Sequence, residues 1–138
     1  MGKIIVTGAS GRFGKAAARM LLEKVPAEDL VFLSRTPETL ADFAEAGAHI
    51  RRADFDDPST LPAAMAGGER MLLISTVRVG SRVEQHTAAV EAAQAQGVKH
   101  VVYTSLLGVR TPGNPSVEGL DHIATERMIE PSGLAWTH

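Results

Sequence analysis

Three glycines at fixed intervals carry the plainest chemistry in this sequence. They lie in Gly8-Ala9-Ser10-Gly11-Arg12-Phe13-Gly14, between an apolar run, Lys3-Ile4-Ile5-Val6-Thr7, and a helix-forming run from Lys15 to Leu22. A strand, a glycine turn and a helix start in that order make a cradle for a pyrophosphate. Gly8 permits the tight turn. Gly11 lets the backbone approach the phosphates with no Cβ in the way, and Gly14 lets the helix pack close on the strand. The helix points its free N–H groups and positive dipole end at the anion. Ser10, Arg12 and Phe13 lie in the same turn and are expected to contact the bound group. The alternative is a glycine-rich turn between two core elements that binds nothing. A glycine triplet alone is weak evidence, but here the flanks on both sides match.

The second candidate position is the end of the next apolar run. Sheets that bind NAD place a carboxylate about 20 residues past the glycine turn, where it grips the ribose 2′-hydroxyl. This chain has Ser34-Arg35-Thr36 there, with no carboxylate. The planar fork of Arg35 suits a 2′-phosphate, and Arg12 offers a second positive charge. These residues favour NADPH over NADH. The alternative for Arg35 is a surface arginine near a helix start. Farther on, Ala53-Asp54-Phe55-Asp56-Asp57 offers Asp54 as an acceptor for the adenine amino group, or as a helix cap. Asp56 and Asp57 are expected to cap.

The absences narrow the chemistry. The sequence has no cysteine, which excludes disulfides, thiol catalysis and cysteine-ligated metal. His49, His86 and His100 show no metal-ligand spacing and read as structural. No Ser-His-Asp order, carboxylate pair or phosphate-binding Lys-Ser/Thr motif argues for hydrolysis or phosphoryl transfer. Fourteen basic and sixteen acidic residues give a net charge of −2, which is not the basic excess of a nucleic-acid partner. No apolar run approaches the roughly 20 residues that span a bilayer. The chain enters a core strand within three residues, so no cleavable signal is expected, and the cytoplasm is the expected compartment.

The elements that must position these residues alternate between strand and helix. Leu30 to Ser34 reads as the second strand. Thr36-Pro37-Glu38 opens a helix, with Thr36 as cap and Pro37 at the first helical position. That helix carries Leu40, Phe43 and Ala44 on one face and ends near Gly47. Ala48 to Arg52 is a weaker third strand. Asp57-Pro58-Ser59 opens a short helix through Leu61 and Met65, ended by Gly67-Gly68. Met71 to Ser75 is a strongly apolar fourth strand. Val83 to Gln96 is a helix with Val83, His86, Val90 and Ala93 at helical spacing, closed by Gly97. Val98 to Ser105 is the fifth strand, 108–116 a Gly/Pro-rich loop, and Glu118 to Glu130 the last helix. The first, fourth and fifth strands are continuously apolar, which marks strands covered on both faces of a parallel sheet. The expected fold is therefore α/β, a doubly wound parallel sheet in order 3-2-1-4-5 with helices on both faces. Its ligand crevice lies where the first and fourth strands diverge. With 138 residues, one domain accounts for the chain.

Together these residues resemble a family. Val6 to Gly14, Ser34-Arg35, Ala53 to Pro58, Gly97 to Ser105, His122-Ile123-Ala124-Thr125-Glu126 and Pro131 to Thr137 are similar to the NmrA-like atypical short-chain dehydrogenases. Within that group they look closest to type 2 NADPH:quinone reductases and triphenylmethane reductases. The resemblance implies a Rossmann-like domain, NADP as cofactor, and hydride transfer to a quinone-like or conjugated small molecule. It places the nicotinamide beside Ser75, Thr76 and Val77 and beside Thr104, Ser105 and Leu106, whose backbone groups would line the cofactor. Ser105 matches the place of a hydroxyl beside the substrate carbonyl. Strand-end capping by Thr104 and Ser105 is the alternative. The Tyr-x-x-x-Lys pair of ordinary short-chain dehydrogenases is missing, because the single tyrosine, Tyr103, is followed by Leu at position 107. The resemblance offers His122 as the replacement proton donor, with Thr125 and Glu126 to orient it. An ordinary pKa near 6.5 suits that role. The alternatives are a surface histidine, or protons taken from water.

The resemblance also implies that residues 1–138 are the cofactor-binding, N-terminal part of a longer protein, with a sixth strand cut short at Trp136-Thr137-His138 and a C-terminal substrate domain to follow. Apolar surface near the fifth strand and last helix is then exposed, and self-association is expected. The competing function is a redox sensor that binds NADP and catalyses nothing, as the name-giving members of the family do.

Overall fold

The computed structural model describes residues 2–113 and 116–138. Six strands form one parallel sheet in the order β3-β2-β1-β4-β5-β6. They are β1 (Lys3–Val6), β2 (Leu30–Ser34), β3 (His49–Arg52), β4 (Gly68–Leu73), β5 (His100–Tyr103) and β6 (Ala135–Thr137). The expected order holds, and β6 is present as a short strand paired with β5. Five α-helices connect them: α1 (Arg12–Leu22), α2 (Ala41–Glu45), α3 (Leu61–Met65), α4 (Arg82–Ala95) and α5 (Val117–Ile129). Among the described residues no helix is long and apolar enough to cross a membrane.

The two-residue period of each strand sorts its side chains between two cores. Ile5, Val31, Met71 and Val101 stand in one aligned row across the sheet. All four are buried against α3, α4 and α5, with Leu61, Met65, Ala89, Val90 and Ile129. The rows on either side of it turn the other way. There Val6, Leu30 and Phe32 pack under α1 and α2 with Ala18, Leu40 and Phe43. Phe32 and Phe43 meet edge to face, their ring centroids 5.4 Å apart. The crossover hand forces this division. The chain steps from β1 out to β3 on one face, then returns to β4 and continues on the other.

Several expectations need correction. Helix α1 begins at Arg12, so Gly14 lies inside its first turn rather than before it. Thr36 makes no side-chain cap, because its segment starts as a 3-10 turn over Pro37–Leu40. Instead Ser34 Oγ accepts the Thr36 N–H at 2.9 Å. Ala44 is exposed, since α2 spans five residues and buries only Phe43. The apolar character of β5 does not reflect cover on both faces. Val101 and Tyr103 are buried, while Val102 is half-buried and no β5 residue joins the core beneath α1 and α2. Ser116 caps α5 by accepting the Gly119 N–H at 2.9 Å, so that helix starts one residue earlier than its acidic run implies. Asn114 and Pro115 of the expected loop lie outside the described residues.

Candidate functional site

The glycine turn has the geometry its spacing implies. Gly8 adopts φ +58, a left-handed conformation that a side chain resists. Around Gly11 the only atom a Cβ would approach is the Gly8 carbonyl oxygen, at 3.4 Å, so the space over it is open. A Cβ on Gly14 would lie 2.1 Å from that same oxygen, so only glycine allows α1 to approach the turn. The cap position, Gly11, offers no side chain, and the first turn of α1 carries no acidic residue. The N–H groups of Arg12, Phe13 and Gly14 therefore have no helical acceptor and no competing carboxylate. Ser34 Oγ donates to Ser10 Oγ at 2.9 Å, which ties the turn to the end of β2.

A cavity of about 450 Å³ opens from this turn along the C-terminal ends of β1, β2 and β4. Its lining brings together Gly8, Ser10, Gly11, Arg35, Asp54, Ser75, Thr76 and Val77, eight residues singled out from the sequence. Arg35 is exposed at the cavity wall. Asp54 Oδ1 accepts the Asp56 N–H at 3.0 Å, which shapes the turn after β3. Asp57 does the capping, accepting from the Ser59 N–H at 3.3 Å and from its hydroxyl at 2.5 Å. Asp56 does not cap. It accepts from Gln85 Nε2 at 2.9 Å and pairs with Arg78 at 2.6 Å. The Gln85 hydrogen bond, with Arg78 and Arg35 nearby, holds its carboxyl below the usual range. Gln85 and Arg78 line the cavity and carried no signal in the sequence. One lies on a helix and the other in a loop, and neither belongs to a motif.

Arg12, Phe13, Gly14 and Thr104 lie outside that lining. Phe13 is exposed at the surface of α1. Thr104 Oγ1 accepts the Ser75 N–H at 2.8 Å, so it anchors the end of β4 from β5. This is one of three such anchors. Thr7 Oγ1 accepts the Ile74 N–H at 3.0 Å, and His86 Nε2 accepts the Thr76 N–H at 3.0 Å. Three successive backbone donors after β4 are thus taken by side chains just past β1, just past β5 and on α4. The N–H groups of Ser75 and Thr76 are engaged within the protein. Ser75, Thr76 and Val77 all line the cavity.

The proposed proton donors sit elsewhere. His122 is not a surface histidine, for it is only 6% exposed and lines neither cavity. Its Nδ1 lies 2.6 Å from Tyr103 Oη. Burial, then the nearby Arg82 charge, push its pKa below the ordinary value. Burial also raises the Tyr103 phenol to about 12. Ser105 lines a second cavity of about 620 Å³ with Leu106, Leu107 and Arg110. Its hydroxyl donates to Glu126 Oε1 at 2.5 Å. Glu126 also accepts from Arg110 Nε at 2.5 Å, and Arg110 reaches Glu130 as well. Burial pushes the Glu126 carboxyl up, but the Ser105 and Arg110 hydrogen bonds outweigh it, and the group stays below the usual carboxylate range. Neither Ser105 nor His122 presents an unengaged proton to the first cavity.

Comparison with known proteins bears on what this arrangement holds. A family described as NAD(P)H-binding matches residues 8–138. Quinone oxidoreductase 2 of Escherichia coli (strain K12) is 40% identical over 134 residues, 97% of this chain and 46% of that protein. The structure of an NADPH-dependent quinone oxidoreductase from Escherichia coli, complexed with NADPH, matches with a TM-score of 0.89 at 39% identity. It covers 96% of this chain and 46% of that one. Citrobacter sp. triphenylmethane reductase complexed with NADP(H) matches with a TM-score of 0.91 at 29% identity, over 97% of this chain and 47% of that one. The chain spans about half the length of these relatives.

Proposed function

The chain belongs to the NAD(P)H-binding family, and we propose that it is the cofactor-holding part of an NADPH-dependent oxidoreductase whose acceptor is a quinone-like or conjugated small molecule. The observation that carries this reading is a single continuous cavity. It joins an uncapped helix start, an arginine in place of the usual carboxylate, and the loop after β4. The residues present fit the cofactor. Gly11, the cap residue of α1, lines the cavity and leaves room for a diphosphate that a Cβ would contest, and the first turn of α1 holds no acidic competitor. Arg35 supplies the charge a 2′-phosphate requires. Asp54 and Phe55 line the same cavity, and the proposed adenosine lies against them.

When bound, the dihydronicotinamide supplies a hydride. The chain contributes placement. Ser75 and Val77 bound the cavity after β4, and the hydrogen-bonded anchors of that loop keep the wall fixed. No side-chain acid need act there, because a reduced quinone takes its protons from water. Activity across a panel of quinones, followed as NADPH oxidation in a protein of the relatives' full length, tests the reading. Turnover with at least one quinone is expected.

One observation favours a second reading, a sensor that binds NADP without catalysis. The hydroxyl of Ser105 is held by Glu126 and the ring of His122 is sealed against Tyr103. Tight cofactor binding with no turnover on any acceptor is the outcome that selects it.

A further inference from the structure

The backbone of Thr76 is held on both sides by α4. Its N–H donates to His86 Nε2 at 3.0 Å, and its carbonyl oxygen accepts from Arg82 Nε at 2.6 Å. Both side chains come from inside the protein. His86 is fully buried and Arg82 is 6% exposed. Thr76 itself lines the first cavity. A backbone N–H can only donate, so His86 Nε2 carries a lone pair. The remaining ring proton is then on Nδ1, 2.9 Å from Thr125 Oγ1. The Thr125 hydroxyl in turn donates to the Asp121 carbonyl oxygen at 2.9 Å. Every proton in the chain from Thr76 through His86 and Thr125 to Asp121 is thereby assigned. Arg82 closes the circuit, with its second nitrogen 3.5 Å from Asp121 Oδ2.

We infer that His86 and Arg82 are positioning residues for the cofactor, locking the Thr76 peptide so that the loop after β4 meets the nucleotide already in its bound shape. The inference rests on the reading of the first cavity as the cofactor site. Its physical basis is preorganisation. A wall that must be ordered during binding lowers affinity, whereas one fixed beforehand by buried hydrogen bonds does not. The tautomer matters as much as the ring. The Nε2–H form would set one donor against another at Thr76, and an imidazolium would do the same.

The test combines calorimetry with NADPH and nitrogen spectroscopy of the imidazole. The wild-type chain is expected to show His86 as the neutral Nδ1–H tautomer. His86→Ala is expected to weaken NADPH binding by about tenfold or more, the size of effect from a buried donor left unpaired. His86→Gln is expected to recover most of the loss, since its amide oxygen accepts from Thr76 and its NH₂ donates to Thr125. An Nε2–H tautomer overturns the inference, as does wild-type affinity in His86→Ala. So does a His86→Gln variant as weak as His86→Ala, which would mean that the ring only fills space. If His86→Ala does not fold, the wild-type tautomer and the His86→Gln affinity still decide. Wild-type protein that binds neither NADPH nor NADH overturns the cofactor reading instead, and the tautomer then reports on the clamp alone.

Discussion

Arg35 stands exposed at the cavity wall, where the second strand delivers it, and no carboxylate shares that strand end. A guanidinium on a 2′-phosphate makes a charge-assisted contact of about 1.5–3 kcal/mol. Arg35→Ala is therefore expected to weaken NADPH binding by roughly tenfold to a hundredfold while NADH binding changes little; equal losses for the two nucleotides would remove Arg35 from phosphate recognition. His86 makes a prediction of a different kind. Burial first, then the charges of Arg82 and His122, depress its pKa from 6.5 to about 3. The unfolded chain binds this proton near pH 6.5, but the folded chain does not until about pH 3. Its contribution to stability is thus complete above pH 6.5, falls as the pH drops, and is fully lost only below about 3. From that interval the loss is on the order of 4–5 kcal/mol. Denaturant unfolding at successive pH values should show this slope, and His86→Gln should flatten it.

At the scale of elements, the three glycines separate into different kinds of necessity. Gly14 lies within α1 and faces backbone, its hypothetical Cβ 2.1 Å from the Gly8 oxygen and 2.7 Å from Ala9 Cα. Neither atom can move without shifting the turn or the helix. Gly14→Ala should cost at least about 3 kcal/mol in thermal or chemical unfolding, the upper end for overpacking. Gly11 has φ −74, which any residue adopts, and its Cβ would meet nothing closer than 3.4 Å. Gly11→Ala should melt like the wild type yet lose affinity for NADPH, because the added methyl occupies the diphosphate's approach. Unfolding by Gly11→Ala, or its unchanged binding, would show that the turn serves the fold rather than a ligand. The loop after β4 is the complementary element. Thr7 just after β1, Thr104 just after β5 and His86 on α4 hold it by its backbone.

At the scale of the molecule, the sheet is covered unevenly. The core beneath α1 and α2 reaches β1, β2, β3 through Ile50 and β4 through Leu72, but no residue of β5. At the edge, all three residues of β6 are exposed, with Trp136 at 45% and stacked on His138 at 4.6 Å between ring centroids. Around the C-terminal ends of the strands, Val77 and Leu107 are almost wholly exposed. An exposed edge strand and exposed apolar side chains are each a template for association. Light scattering of the 138-residue chain should show particle size rising with concentration, and Trp136→Lys should reduce the rise. A constant monomer across concentrations would show that this surface is inert.

The sequence by itself determined the alternation of elements, the strand order and the glycine turn, because each is written in short-range terms. Apolar runs, helix caps and a three-residue glycine spacing depend on neighbours along the chain. It also marked Arg35, Asp54 and Ser75, whose places follow from being at strand ends, where a parallel sheet gathers its ligand contacts. The residues whose surroundings the sequence does not reveal are those packed against distant elements. His122, expected at a proton-transfer site, is sealed against Tyr103. Asp56, expected as a cap, instead reaches Gln85 and Arg78. His86, read as one more structural residue, holds the peptide that walls the cavity. Only the tertiary structure decided these roles, because burial and hydrogen-bond partnership across 10 to 39 residues of chain leave no periodic trace in the sequence.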